Sequence, residues 1–307
     1  MSACCKRMLG SRPNESISES NANPSLRILC LGASMTAGFT RSHPLSWRIT
    51  YSPYGKHLQD QIQRYVSSIP SVSSAKVEVV IDGHDGWTTA MVHDYVTSDK
   101  CELDLASFDF CLILVGSNDV GHGRSCQEVC SDLLTLHKAL HDKGPQTVAI
   151  TISELGRSYE ELDQVAEAVN NWMRETLCDV PGVAGVYDFN TAIPNKSEPD
   201  EARRLELWCD GLHMTEWGYC VLATSIFKST MRSLVDRHFG VEKPKPTEVQ
   251  QVSPSDTTED GDQQQLRSDS AVETSLSSEG SRSNNATSAG TPETTVSKHA
   301  QNLASPQ

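Results

Sequence analysis

Aromatic residues are scarce in this chain: 6 % of 307 residues, with 37 % hydrophobic overall. That is too little apolar material to pack the whole length, so one sizeable domain with unfolded ends is expected. No stretch approaches the ~18 uninterrupted apolar residues of a membrane span. Positive charge is also short, with 26 Lys and Arg against 40 Asp and Glu and a net charge of −14. A phosphate backbone requires a basic face, so nucleic acid is not expected as a partner. The ten cysteines contain no C-x-x-C pair. Cys126 and Cys130 stand four apart on an expected helix, which is half a metal site at most. Reduced thiols, with Cys30 and Cys111 packed as small apolar residues, are the simpler reading.

The two ends lack what a core needs. Residues 241–307 contain no Phe, Trp, Tyr or Cys and carry ten acidic against five basic side chains. Residues 1–25 are rich in Ser and Asn, with no apolar run after Lys6 and Arg7. Both are expected to be disordered, because burial there cannot offset the entropy of ordering. The leading segment lacks the apolar stretch of a secretory signal, and Ser2 stands where myristoylation requires glycine. Cys4 and Cys5 could accept palmitate, a single weak anchor. The expected location is the cytoplasm. Sequons begin at Asn14, Asn195 and Asn285 and are read as chance.

Residues 26–240 alternate between strand-like and helix-like patterns. Leu26–Leu31, Val77–Ile81, Phe108–Val115, Val148–Ile152 and Val183–Tyr187 are short apolar runs, read as buried strands. Between them, residues 53–67, 88–95 and 125–141 show helical spacing, as in Tyr54, Leu58, Ile62 and Val66. Ser158 to Glu161 has the form of a capping box opening a helix that runs to about Leu177. A closing helix is expected over Thr215–His238. Five such strands separated by helices predict an α/β domain: a three-layer α/β/α flavodoxin-like sandwich around a central five-stranded parallel sheet. In such sheets reactive groups gather beyond the carboxyl ends of the strands.

Four segments fall at those ends. G-A-S-M-T-A-G, with Ser34, follows the first strand, and D-G-H-D-G-W, with Gly86, follows the second. V-G-S-N-D, with Asn118, follows the third, and D-G-L-H, with Asp210 and His213, precedes the last helix. The first loop alone could cradle phosphate, but it lacks both the G-x-G-x-x-G spacing and a phosphate-binding Lys. It is also not a G-x-S-x-G elbow, since Thr36 replaces the second glycine. A serine becomes nucleophilic when an imidazole removes its proton, and a carboxylate on the other ring nitrogen fixes the tautomer. Amides of Ser34 and Gly86 and the side-chain NH₂ of Asn118 could stabilise the developing oxyanion.

In this order the four segments resemble the blocks of the SGNH hydrolases, the GDSL-type esterases and lipases. The resemblance implies a serine esterase with Ser34, Asp210 and His213 as triad and Ser34, Gly86 and Asn118 as oxyanion hole. It further implies a small-molecule ester substrate and no cofactor or metal. The sequence departs from the family at Ala33, where G-D-S has Asp. The alternative is a catalytically weak or inactive SGNH-fold binding module whose acidic tail recruits partners. A metal site among His84, His93, His122 and their acidic neighbours lacks ligand spacing. Asp119 is read as a loop brace or helix cap. Trp87, Trp208 and Trp217 are pocket candidates, with Trp217 more consistent with core. The segment from Asn190 to Leu207 is a candidate lid or pocket wall.

Overall fold

The computed structural model describes residues 25–41 and 48–241. The expectations for the two ends, including Cys4, Cys5, Asn14, Asn285 and the acidic tail, lie outside the described residues. Five strands form one parallel sheet: β1 (Ser25–Gly32), β4 (Lys76–Gly83), β5 (Phe110–Leu114), β6 (Gln146–Ile150) and β7 (Val183–Tyr187). Their order across the sheet is β4-β1-β5-β6-β7, the flavodoxin-like order.

The apolar runs are continuous because both faces of the sheet are covered. Along β1, Leu26, Ile28 and Cys30 belong to one core, while Leu29 and Leu31 belong to the other. The first core is closed by α2 (Tyr54–Ser67) through Tyr54, Leu58, Ile62 and Val66, and by α9 (Glu216–Ile226) through Tyr219, Leu222 and Ile226. The second is closed by α3 (Thr89–Thr97), α5 (Cys126–His141) and α6 (Glu160–Glu175). Leu133, Leu136 and Leu140 of α5 have almost no exposed surface, which is what their helical spacing predicts. The three layers and five strands are as expected.

The remaining elements are short. They are α1 (Ser34–Ala37), the antiparallel pair β2 (Phe39–Arg41) and β3 (Ile49–Tyr51), α4 (Ser117–Gly121), α7 (Phe189–Ala192), α8 (Glu201–Leu207) and α10 (Arg232–His238). The β2–β3 pair has no counterpart in the expected elements, because three residues are too few to show a period. A π-helical segment, Phe227–Met231, interrupts the expected single closing helix between α9 and α10.

Three local expectations are corrected. Ser158 does not cap α6; Tyr159 stands at that position, and its amide donates to the Asp163 carboxylate at 3.1 Å. A true capping box occurs on α5, where Ser125 and Glu128 each accept from the other's amide. Trp217 is not core but 59 % exposed, whereas Trp208 is buried, stacks on Phe189 and donates its indole N–H to the Pro194 carbonyl. Asn195, the one described sequon, is wholly buried, so its side chain is closed to glycosylation in the folded chain. Cys30 and Cys111 are buried as expected, and burial pushes the Cys30 thiol up to about 12. Cys126 and Cys130 bring their sulfurs to 3.7 Å, and no cluster of three metal-ligating side chains occurs among the described residues.

Candidate active site

The strand order reverses between β1 and β5, and the loops after these two strands diverge to open a crevice. Ser34 follows β1 and Asn118 follows β5, so the two expected functional residues flank that crevice. The end of β1 is pressed against β5: a Cβ on Gly32 would lie 2.1 Å from the Leu114 carbonyl oxygen. Glycine there lets the chain turn at once, and Ser34 heads α1. The first amides of a helix have no carbonyl partner in the preceding turn and remain free to donate. At the other end of α1, Gly38 is left-handed (φ 79°) and touches the Pro53 backbone, which stops the helix after one turn.

Ala33 shows how this turn holds without the family's carboxylate. Its amide donates to the Leu114 carbonyl at 3.2 Å, and its own carbonyl accepts the amides of Thr36 and Ala37 at 3.0 Å. These backbone bonds secure the loop.

Ser34 Oγ lies 3.0 Å from His213 Nε2, although 179 residues separate them. On the other side of the ring, His213 Nδ1 lies 3.0 Å from Asp210 Oδ2. Asp210 Oδ1 accepts the amides of Leu212 at 2.8 Å and His213 at 2.6 Å. Burial by itself would raise the Asp210 carboxyl, but the hydrogen bonds from the His213 ring and these amides outweigh it and hold the group at about 2. The carboxylate is therefore ionised near neutral pH and aimed at His213 Nδ1.

Asn118 lines the same small space as Ser34 and Leu212. One proton of its NH₂ is committed to the Trp87 carbonyl at 2.8 Å, which orients the group and leaves the second proton for a ligand. Gly86 occupies an exposed turn with φ 77°, and no hydrogen bond joins it to Ser34, Asn118 or His213 among the described residues. Its loop is tied to the site at both ends, through the His84 amide on the Gly32 carbonyl at 3.0 Å and through Trp87 on Asn118. His84 lies 2.8 Å from Asp82 and stacks on Trp87 at 3.6 Å, so it serves as loop structure and not as part of a metal cluster. Asp119, fully buried, accepts the amide and hydroxyl of Thr89 and pairs with Arg124 at 2.8 Å; it braces the loop, as read.

Residues 30–221 match the GDSL-like lipase/acylhydrolase family, spanning all four segments. The chain belongs to this family. As a GDSL-like hydrolase it is a serine hydrolase acting on ester bonds. Among solved structures, a lipolytic protein of the G-D-S-L family from Veillonella parvula is similar at 20 % identity and a TM-score of 0.50, over 67 % of this chain and 99 % of that one. The lipase/acylhydrolase from Enterococcus faecalis is similar at 19 % identity and a TM-score of 0.49, over 72 % and 99 % respectively. The Veillonella likeness establishes the fold and no more. No curated protein matches the chain. Among the described residues of the hydrolase, no helix is long and apolar enough to cross a membrane.

Two supports of this hydrolase's site are absent from the sequence reading. The Phe39 ring packs on the His213 imidazole, centroids 4.3 Å apart, and the Tyr219 hydroxyl holds the Phe39 carbonyl at 2.8 Å. The loop after β6 clamps the loop that carries Asp210 and His213: the Gly156 amide donates to the Gly211 carbonyl at 2.7 Å. Glu154 binds the amides of Asn195 and Ser197 at 2.8 and 3.1 Å, which draws a third loop into the clamp. No motif marks these contacts, because they join loops far apart in the chain.

Proposed function

We propose that this protein hydrolyses carboxylic esters of small molecules through a Ser34-His213-Asp210 triad and an acyl-enzyme. Ser34 Oγ attacks the ester carbonyl while His213 Nε2 takes its proton. Asp210 keeps the other proton on Nδ1 and stabilises the charged ring. The Ser34 and Gly86 amides and Asn118 Nδ2 hold the oxyanion, which is why they must keep unsatisfied donors in the resting enzyme. His213 then protonates the departing alcohol, and water attacks the acyl-enzyme by the same path in reverse. The observation that carries this reading is the 3.0 Å contact between Ser34 Oγ and His213 Nε2, continued at 3.0 Å to Asp210.

The competing binding-module reading has only Ala33 in its favour, and the backbone bonds of Ala33 remove the argument that the loop is unsupported. The test is labelling with a fluorophosphonate probe alongside hydrolysis of 4-nitrophenyl acetate. Wild type should be labelled and active, and Ser34→Ala should be neither while unfolding at the same temperature. An active Ser34→Ala variant refutes the nucleophile; a folded wild type that neither labels nor hydrolyses favours the binding module.

A further inference from the structure

The β2–β3 pair touches both halves of the proposed site. Phe39 on β2 packs against His213, and its register partner on β3 is Tyr51. The Tyr51 hydroxyl donates to Asp85 Oδ2 at 2.6 Å, in the loop that carries Gly86. The two rings meet edge to face, with centroids 6.2 Å apart. Both strands are fixed from behind. Tyr219 holds the Phe39 carbonyl at 2.8 Å, and the Ser52 amide donates to the Gly38 carbonyl at 2.7 Å. The phenol is thus presented to Asp85 from a fixed strand end.

The Gly86 loop needs such a hold. Its ends are anchored at His84 and Trp87, but Asp85 and Gly86 between them are exposed. The turn closes through the Trp87 amide on the His84 carbonyl at 3.3 Å, long for a bond of this type. A Cβ on Gly86 would meet nothing within 4 Å, so packing does not hold that residue. Glycine is also the residue with the most backbone freedom. Asp85 supplies an anchor here, because the Gly86 N–H belongs to the peptide that Asp85 begins. Turning Asp85 turns the donor. The Asp85 carboxylate, foremost through this hydrogen bond, raises the Tyr51 phenol above its ordinary range, so the hydroxyl keeps its proton and remains a donor.

Resting on the oxyanion-hole reading above, we infer that Tyr51 is a positioning residue for the Gly86 amide. By holding Asp85 it fixes the orientation of the Asp85–Gly86 peptide and so aims the N–H at the oxyanion. An oxyanion donor acts only within a narrow range of distance, and a small rotation of this peptide forfeits part of its effect. Tyr51 is 55 % exposed, so its hydrogen bond lies in water and adds little to global stability.

The experiment measures kcat, KM and the unfolding temperature of the full-length chain with 4-nitrophenyl acetate across pH. Tyr51→Phe retains the ring and removes the hydroxyl. It should lower kcat about tenfold, part of the ~100-fold that losing a whole oxyanion donor costs, with KM and unfolding temperature little changed. Asp85→Ala should lose as much, and the Tyr51→Phe/Asp85→Ala double variant no more than either single one. Asp85→Asn should retain most of the activity, because its amide oxygen still accepts from the phenol. The acid limb of kcat/KM should stay in place in every variant, since the effect lies on the oxyanion and not on the imidazole.

Wild-type kcat in Tyr51→Phe overturns the inference and leaves the triad standing. So do losses that multiply in the double variant, a rise in KM without a fall in kcat, or a displaced acid limb, which would place the effect on His213 through Phe39. A folded wild type that neither hydrolyses the ester nor takes a fluorophosphonate label overturns the triad reading and this inference together.

Discussion

Gly156 and Gly211 meet backbone to backbone: a Cβ on Gly156 would lie 2.9 Å from Gly211 Cα, and the Gly156 amide is bonded to the Gly211 carbonyl. Because Gly211 sits between Asp210 and His213, any added bulk displaces the carboxylate from the ring. Gly156→Ala is expected to lower kcat at least tenfold with a smaller effect on KM, and to shift the pH–rate profile as the contact between Asp210 and His213 loosens. Steady-state kinetics across pH checks this. An unchanged profile in a folded variant counts against the clamp.

Asn118 supplies the side-chain donor of the proposed oxyanion hole. Losing such a donor costs about 3 kcal/mol, or ~100-fold in kcat. Asn118→Ala should therefore lose that much in kcat with KM little changed, and it should also loosen the Trp87 loop, which proteolytic sensitivity would report.

Asp210→Asn retains the shape of the side chain but removes the charge that selects the imidazole tautomer. The expected loss in kcat approaches 10⁴-fold, with Ser34 still present. A loss below tenfold would show that the carboxylate is not the orienting group.

Phe39 covers one face of His213. Aromatic pairs of this kind contribute about 0.5–1.5 kcal/mol beyond their burial. Phe39→Ala should slow turnover about three- to tenfold and Phe39→Tyr should restore most of it, measured with 4-nitrophenyl acetate.

Far from the site, His137 on α5 is buried, with Nδ1 2.6 Å from the Thr147 hydroxyl, which also lies 2.8 Å from His141. Burial, and secondarily the charge of His141, lowers the His137 imidazole to about 3. A histidine depressed on folding contributes stability above the ordinary imidazole range, near 6.5, and loses it as pH falls from there toward 3. Urea unfolding at pH 7.5 and pH 5 should show wild type losing more stability on acidification than His137→Gln, by an amount of order 1–2 kcal/mol. Equal losses would exclude this histidine as a source of acid lability.

The correctly expected elements share one property: each is long enough to repeat. Leu133, Leu136 and Leu140 declare a helix face, and the run from Leu26 to Leu31 declares a strand buried on both sides. Two expectations that rested on one or two residues failed. Ser158 had the right neighbours for a cap, yet Asp163 takes the Tyr159 amide instead. Trp217 shares a helix with buried Tyr219 and Leu222 but faces outward, since side chains two and five positions apart on a helix point to different sides.

The same division holds for the site. Ser34, Asn118, Asp210 and His213 could be named as candidates because each sits in a loop at a strand end or before the last helix, where the chain order and residue types of the proposed chemistry coincide. Phe39, Gly156 and Glu154 were not, because their significance lies in what they touch.

The sequence by itself determined the layered α/β architecture and the residue types of the proposed relay, since periodic burial and reactive side chains are written locally. Only the tertiary structure decided that Ser34 and His213 meet at 3.0 Å and which loop clamps Asp210. Those are properties of surfaces brought together across the sheet by the burial of two cores. No span of neighbouring residues encodes a distance between loops that far apart in the chain.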